Sequence, residues 1–585
     1  MNKRRSLFVN IVYLITIFLT LVFKNIAFHF FCYDEMMLGE NASAFWSRKL
    51  LAPLLLTSIV LLIRRRWFVW LMLLMVDIWV FSNLTYHRFY ADFFDRSAVM
   101  YLSNLKGFES SVADIVDIWW LLLPASSLLV VLVSLFVRGC LSKRLWLRVL
   151  VLYYLMTACT IYIDIKSCPQ SEKEKLEEAG MTYMHVLNPI ADIKINAARF
   201  PDDPWYCGVQ SKRKYVERYS VMSRFLQFLI EDKASVKAQS ELPPEIEKGK
   251  LMKYIFRDKP NATSLKAKNI IIFLVESFES WLIETPDICP NLYAIAHSDK
   301  IFFADKMKSQ IRDGMSSDGQ LTMNTGLLPI FSGFTVTEYP FNVYPNIAHY
   351  YPCRWIITSE DEVWNQRKMT KRYGYEGQAP VEITDKVWDD KDVVRTLLKT
   401  MDRMCDNFCI QTLTISTHAP FNIVENDFCN VHSSEYKSVI DYINVFNYTD
   451  SCMGVFWSEF VKSKYFENTV VVITGDHTIL DRIDYHEQFS RYRTEQGKSS
   501  ENYLPFMIYS PDFSATEYYD SLCYQMDMFP TILSVIGHND YRYKGVGVDL
   551  RDAEERQNRV ISQEQAYELS ERLIRADYFS KTGIE

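Results

Sequence analysis

The chain has 585 residues, enough for more than one domain. Its net charge of -7, with no long basic run, speaks against a nucleic-acid partner. Hydrophobic residues make up 49 % and aromatic residues 15 %, and the apolar ones crowd into the first quarter, so the chain divides into a membrane part and a soluble part.

Lys3, Arg4 and Arg5 precede an apolar run from 6 to 28 that is longer than a signal-peptide core and has no small-residue cleavage site. Further apolar runs follow at 48–63, 67–86, 116–137 and 145–163, giving about five transmembrane helices, or four if the short second run is re-entrant. Basic clusters fall before the first span, between the second and third (Arg64, Arg65, Arg66) and between the fourth and fifth (Arg138, Lys143, Arg144). The positive-inside rule puts all three in the cytoplasm and leaves everything after the fifth span outside the cell membrane.

The membrane domain is therefore placed at 1–165. From 166 to 266 the chain turns polar and reads as a juxtamembrane helical linker, with runs such as Glu172 to Glu178 and a Pro-Pro step near Glu245. Asn41 and Asn261 begin glycosylation-type triplets by pattern only. Of the 12 cysteines, ten fall in external segments, where an oxidising compartment allows bridges. No Cys-x-x-Cys pair occurs. Cys405 and Cys409 have helical spacing and read equally well as two unpaired thiols, and the connectivity is not legible from spacing.

From 267 to 548, strand-like and helix-like runs alternate, which predicts an α/β domain with a central, mostly parallel sheet. Strands are expected over 269–275, 354–358, 409–415, 469–473 and 504–509, and amphipathic helices over 436–462 and 526–536. Three of these strands end on chemistry. The first runs into Glu276, the second of the group into Ser416-Thr417-His418, and the third into Gly475-Asp476-His477. In open α/β sheets the carboxyl ends of strands are where ligands bind. Glu276 alone is either a helix N-terminal charge or a metal or catalytic group. Three such endings together are hard to explain as packing, and an Asp-His pair after a Gly turn suits Zn²⁺ or Mn²⁺. The tail from 549 to 585 is charged and reads as a surface helix with no visible chemistry.

Between the first acid and the later ligands lies Arg312-Asp-Gly-Met-Ser316-Ser317-Asp318-Gly319. Ser316 or Ser317 caps a helix there, or else one of them is a nucleophile beside a metal, with helix amides holding the anionic group under attack. Trp364 reads equally as a packed loop aromatic or as a substrate contact. His486, nine residues past the Asp-His pair, reads as a loop residue.

With Glu276, Gly-Met-Ser-Ser-Asp, His418-Ala-Pro-Phe421 and Gly475-Asp476-His477 in that order, the chain resembles the lipoteichoic acid synthase family, membrane phosphoglycerol transferases of the sulfatase and alkaline-phosphatase-like superfamily. Smaller markers agree: Cys289-Pro-Asn-Leu292, Asn447-Tyr-Thr-Asp450, and Asp527 with Pro530 and Thr531. The resemblance implies a polytopic helical membrane domain followed by an extracytoplasmic alkaline-phosphatase-like α/β domain. It implies one divalent ion, Mn²⁺ ahead of Zn²⁺ and Mg²⁺, held by Glu276, Ser316, Asp476 and His477. It implies Ser316 as nucleophile, in place of the family's threonine, and substrate contacts from His418, Trp364 and Arg367. The family's Trp-Asn-Arg motif is altered here, because Gln366 stands in the arginine's place and Arg367 follows it. The implied reaction moves a phosphoglycerol-type headgroup from a phospholipid to an envelope glycan or lipid. A phosphoethanolamine transferase and a phosphodiesterase remain as alternatives. A true sulfatase needs a Cys-x-Pro-x-Arg-type run for formylglycine, and none occurs.

Overall fold

The computed structural model describes residues 3–33, 42–63, 65–90, 93–94, 116–136, 143–166, 216, 220–230, 249–257 and 267–582, the last range less 331–332, 359–362, 384–388, 420, 425, 427, 429–435, 480–482 and 538–540. These residues form two compact units, one up to residue 230 and the other from residue 249 onward. Asn41 and Asn261 of the two triplets, the Pro-Pro step and the Glu172–Glu178 run lie outside the described residues.

Helices stand at all five expected places in the first unit: Lys3–Cys32, Ala42–Ile63, Arg66–Tyr90, Leu122–Phe136 and Lys143–Lys166. Three stretches are long and apolar enough to cross a membrane, Phe8–Cys32, Arg66–Arg88 and Ile118–Phe136, while Lys49–Val60 and Trp146–Cys159 are shorter apolar runs. The unit is a multi-pass membrane anchor, and the α/β unit downstream of it is extracytoplasmic. Its interior is held by apolar packing and a few polar ties. Lys24 is fully buried and pairs with Asp77 and with the carbonyl of Leu123. Such intramembrane charges are costly unless partnered, and this one is.

Two described pieces of the 166–266 segment take part in different cores. Helix Val221–Ile230 buries Val221, Met222 and Phe225 in the membrane unit, where Trp79 Nε1 donates to the Val221 carbonyl at 2.8 Å. Helix Lys250–Tyr254 places Met252 and Ile255 in a core of the α/β unit.

The second unit is a nine-stranded sheet: β1 (Asn269–Val275), β2 (Ile301–Lys308), β3 (Cys353–Ile357), β4 (Gly377–Ala379), β5 (Phe408–Leu413), β6 (Thr469–Gly475), β7 (Leu504–Tyr509), β8 (Glu517–Tyr519) and β9 (Cys523–Tyr524). The order is β4-β3-β5-β1-β6-β7-β2-β8, with β9 paired to β2. All pairings are parallel except β6 with β7 and β2 with β7. β1 is buried along its full length, as its unbroken apolar run demands. The period of two sorts its side chains between two cores: Ile270, Ile272 and Leu274 face one, and Ile271, Phe273 and Val275 face the other. β6 divides the same way. Each fully buried aliphatic side chain contributes about 1.5–3 kcal/mol, so this doubly covered centre gains stability on both faces.

Helices Ser316–Thr325 and Met528–Val535 pack in the first core, and helices Asp390–Met401 and Lys437–Lys462 in the second. The expected tail helix forms at Gln563–Arg575 but is not confined to the surface. Its apolar stripe, Ala566, Leu569, Leu573 and Ile574, lies in the first core, and Ser570 Oγ accepts from the Leu328 N–H at 3.0 Å. The charges read from the sequence lie off that stripe, and Arg575 among them bonds Tyr339. Cys353 is bridged to Cys405, while Cys409 is a buried free thiol.

Candidate functional site

Strand order explains why the three chemical endings meet. β1 lies between β5 and β6, and all three run in parallel, so Glu276, the Ser416–His418 stretch and Asp476-His477 emerge from one edge on neighbouring strands. Glu276 is tied on both sides. Its N–H donates to Thr414 Oγ1 at 2.9 Å, and its carbonyl accepts from Thr417 Oγ1 at 2.5 Å. The Ser277 N–H donates to Asp476 Oδ1 at 2.9 Å, which locks the β1 ending to the β6 ending.

Glu276, Asp476 and His477 are buried, and one oxygen or nitrogen from each lies within 4.8 Å of the others, a grouping able to hold a metal ion. His477 Nε2 lies 3.6 Å from Glu276 Oε1 and 3.6 Å from Asp476 Oδ2. Its Nδ1 is 2.7 Å from the Thr478 carbonyl, which only an N–H satisfies. Nδ1 therefore carries a proton, which leaves Nε2 as the ring atom directed at the carboxylates and the one a cation would bind. Burial, then the charge of Glu276, pushes the Asp476 carboxyl up to about 6. For His477 burial acts downward, but Asp476 and Glu276 outweigh it and the net shift is upward. Two buried carboxylates facing one imidazole form a donor set that fits a divalent ion, and the strain recorded in these shifts is what such an ion would relieve.

Ser316 opens helix Ser316–Thr325. Neither Ser316 nor Ser317 caps it. The residue before the helix is Met315, held at φ 47°, and Ser317 Oγ donates back to the Gly314 carbonyl at 2.6 Å. The capping alternative is thus corrected: a local loop bond takes Ser317, and the turn aims Ser316 elsewhere. Ser316 Oγ lies 3.3 Å from Glu276 Oε2 and 3.2 Å from His477 Nε2. Asp318 stabilises the turn by accepting the N–H groups of Arg312 and Gly314 at 2.8 and 3.0 Å. Gly319 lets the helix sit against β6, because a Cβ there would lie 2.1 Å from the Asp476 carbonyl oxygen.

His418 is half-buried, with Nδ1 2.7 Å from the Ala419 carbonyl, and it adjoins the Thr417 that bonds Glu276. Phe421 of the same run is a core anchor against Tyr442. Trp364 packs its ring 5.4 Å from Phe334. The preceding Gly333 N–H donates to Asp313 Oδ2 at 2.9 Å, which links this segment to the Ser316 loop. Trp364 and Asn365 both have φ 53°, a left-handed conformation unusual in bulky residues. Gln366 is buried with Nε2 3.4 Å from Thr370 Oγ1, whereas Arg367 is exposed. His486 lies on helix Ile483–Glu495, and its side chain is outside the described residues.

The smaller motifs turn out to be braces. Asp450 accepts the N–H groups of Asn291 and Leu292 at 3.1 and 2.7 Å, so the Cys-Pro-Asn-Leu and Asn-Tyr-Thr-Asp runs meet there. Asp527 accepts from the Val548 and Tyr524 N–H groups and from Arg559.

Two family models match the chain: the lipoteichoic acid synthase N-terminal domain over residues 1–178 and the sulfatase family over residues 343–538. The chain belongs to the sulfatase, or alkaline-phosphatase, superfamily. Within that superfamily it is 24 % identical over 322 residues to lipoteichoic acid synthase 1 of Bacillus subtilis, a match that covers 50 % of each chain. It is 20 % identical over 568 residues to the lipoteichoic acid synthase of Staphylococcus saprophyticus, covering 91 % of this chain and 83 % of that one. The match thus spans about half the length of the two Bacillus subtilis relatives but most of the staphylococcal one. Among solved structures, the lipooligosaccharide phosphoethanolamine transferase A of Neisseria meningitidis shares the fold, with a TM-score of 0.52 at 14 % identity over 90 % of this chain and 95 % of that one.

Two features of this superfamily site escaped sequence reasoning. The bond that joins the endings, Ser277 N–H to Asp476 Oδ1, spans residues 199 apart in sequence. Gln525, which donates to the Asp476 carbonyl at 2.6 Å and accepts from the Gln310 N–H at 2.7 Å, ties the Asp-His loop to the segment leading to Ser316. The marker of Asp527, Pro530 and Thr531 beside Gln525 was visible as a motif, but the partners of Gln525 were not.

Proposed function

We propose that this protein is a membrane-bound, metal-dependent transferase that moves a phosphoglycerol-type headgroup from a phospholipid to an extracytoplasmic glycan or lipid acceptor through a phospho-Ser316 intermediate. The observation that carries the reading is the placement of Ser316 Oγ at a helix N-terminus, 3.3 Å from Glu276 and 3.2 Å from His477. Glu276, Asp476, His477 and the Ser316 oxygen would hold one divalent ion, Mn²⁺ being the first candidate. Such an ion lowers the pKa of a bound hydroxyl and offsets charge on phosphoryl oxygens.

The chain's own residues supply the rest. Ser316 gives up its hydroxyl proton as Oγ bonds to phosphorus, the bond from phosphorus to the diacylglycerol oxygen breaks, and that oxygen takes up a proton in its place. The N–H groups of Ser317, Asp318 and Gly319 are taken by the Gly314 and Met315 carbonyls, so the helix favours the anionic group through the positive end of its dipole rather than through those donors. His418 serves as phosphate contact or acid–base group, with Trp364 and Arg367 binding the headgroup side. The acceptor hydroxyl then gives up its proton as its oxygen bonds to phosphorus, the bond from phosphorus to Ser316 Oγ breaks, and a proton returns to Ser316 Oγ. The relatives' names, lipoteichoic acid synthases, support a phosphoglycerol donor.

A phosphoethanolamine headgroup is the second reading. It is favoured by the burial of Gln366 in the place of the family's arginine, which leaves a different surface for the headgroup. The test uses the purified full chain in detergent with Mn²⁺, offered phosphatidylglycerol or phosphatidylethanolamine with a fluorescent acyl chain. The expected result is diacylglycerol and a phosphoglycerol mass on Ser316 from phosphatidylglycerol alone, with a loss of about 10⁴-fold or more in Ser316→Ala. Product from phosphatidylethanolamine alone would replace the donor. No product from either lipid would sink the phospholipid reading.

A further inference from the structure

β1 and β6 pair with Val275 opposite Gly475, so Glu279 and Ile479 would face each other had both strands continued. They do not continue. Ser277 turns at φ 54°, and helix Ser280–Ile283 begins on the β1 side. Side chains hold the two connections together instead. The Ile479 N–H donates to Glu279 Oε1 at 3.3 Å, one rung beyond the Ser277 to Asp476 bond. The other carboxylate oxygen, Glu279 Oε2, accepts from Arg493 Nη1 at 2.9 Å and Trp281 Nε1 at 2.7 Å. Arg493 directs its remaining donors to the carbonyls of Ser499 and Ser500 at 3.2 and 2.8 Å. Both charged groups are buried, Glu279 at 0 % and Arg493 at 2 % exposure.

We propose that Glu279 and Arg493 are positioning residues for the Glu276–Asp476–His477 cluster: their ion pair fixes the separation of the two connections that carry the ligands, and so sets the affinity for a divalent ion. The inference rests on the metal reading above. Stability alone is a poor account of the pair, because a buried ion pair gains little over well-packed apolar residues of the same volume. An apolar pair would fill the space equally well. It would not offer an acceptor to the Ile479 N–H, three residues past Asp476. Partners that orient metal ligands in this way typically govern affinity by about 10–100-fold.

The test is Mn²⁺ titration of the full chain in detergent, by calorimetry and by the Mn²⁺ paramagnetic resonance line shape, on wild type and Glu279→Leu/Arg493→Met. Removing both charges together leaves no unpaired ion. The expected result is an affinity about 10–100-fold weaker with an altered line shape, and an ion-free Tm that falls as well, because Ile479 and Trp281 lose their acceptor and the Ser499 and Ser500 carbonyls lose their donor. Glu571→Gln/Arg575→Met, which removes a pair 2.5 Å apart that involves Tyr339 and its own helix, is expected to leave affinity unchanged. Should the double variant fail to fold, Arg493→Lys decides, with a single donor in place of a fork and affinity expected to fall about 3–10-fold. Wild-type affinity in the folded variants overturns the positioning role while leaving the metal reading intact. A wild type that binds no Mn²⁺ overturns both.

Discussion

Gly319→Ala tests whether the place of Ser316 depends on how closely its helix approaches β6. An added Cβ would lie 2.1 Å from the Asp476 carbonyl oxygen and 2.8 Å from its carbonyl carbon. The strand side cannot yield, because β6 is buried along its whole length and the Asp476 carbonyl is also held by Gln525 at 2.6 Å. The helix must therefore move by roughly 1.3 Å or more to reach an ordinary contact distance. Ser316 is three residues earlier on that helix, and its Oγ contacts at 3.2 and 3.3 Å would stretch past hydrogen-bonding range. Overpacking costs about 1–3 kcal/mol, partly offset by the ~1 kcal/mol that Ala gains over Gly in a helix. A displacement of this size at a reacting group costs about 10²-fold in rate. The expected outcome is a Tm lowered by a few degrees, Mn²⁺ affinity reduced but not abolished, because Ser316 withdraws while Glu276, Asp476 and His477 are not on the moving helix, and lipid turnover at saturating Mn²⁺ down about 100-fold. The fluorescent-lipid assay beside a metal titration reads all three. Turnover within threefold of wild type, or turnover lost only in step with bound metal, would refute the reasoning.

Mn²⁺ at about 100 times its Kd should stabilise the native state by about 2.7 kcal/mol, read as a Tm increase that His477→Ala abolishes. Burial pushes Asp318 up to about 7, so the folded chain keeps a proton that the unfolded chain loses near 3.8. The stability this adds is complete below about pH 4 and is lost as pH rises through about 7; urea melts across that window should show the slope, and Asp318→Asn should flatten it. Arg367→Gln, on an exposed position, should leave Tm unchanged and raise the KM for lipid about 10-fold, the loss expected for one charge-assisted contact to phosphate. Replacing Cys353 and Cys405 with Ser opens a 52-residue loop and should lower stability by about 4 kcal/mol on the chain-entropy account, seen as a lower melting point than that of the oxidised protein.

The sheet was legible where the strands are unbroken apolar runs, as in β1, β6 and β7. β2 was not legible, because Asp305 and Lys306 interrupt its pattern; the structure shows a register shift between Ala304 and Met307 at that point. The tail was misread because its charges dominate the sequence, while the stripe from Ala566 to Ile574 shows only when projected on a helix. At the site, the residue types at strand ends pointed to Glu276, Asp476 and His477, since a parallel sheet brings such ends together. What spacing could not supply was the contact between distant segments. Glu279 and Arg493 are 214 residues apart, and neither sits in a recognisable motif.

Buried carboxylates in this unit serve two ends, and hydrogen-bond donors tell them apart. Asp450 and Asp527 take backbone N–H groups on both oxygens, and Asp390 takes two on one oxygen and the Thr449 hydroxyl on the other. Saturated in this way, they hold loops in place and have no lone pair directed at a ligand. Glu276 receives only hydroxyls, from Ser277 at 2.7 Å and Ser316 at 3.3 Å. Asp476 is divided: Oδ1 takes the N–H groups of Ser277 and His477, and Oδ2 turns to the His477 ring. The sequence motifs around Asp450 and Asp527 are as recognisable as the one around Asp476, so recognisability does not separate a brace from a ligand. The placement of N–H donors does. It leaves the Glu276 carboxylate and Asp476 Oδ2, the oxygens that adjoin Ser316 and His477, to meet a cation, while Asp318 Oδ1, which also lacks a donor, belongs to a carboxyl that burial pushes up to about 7 and that two N–H groups hold in the loop.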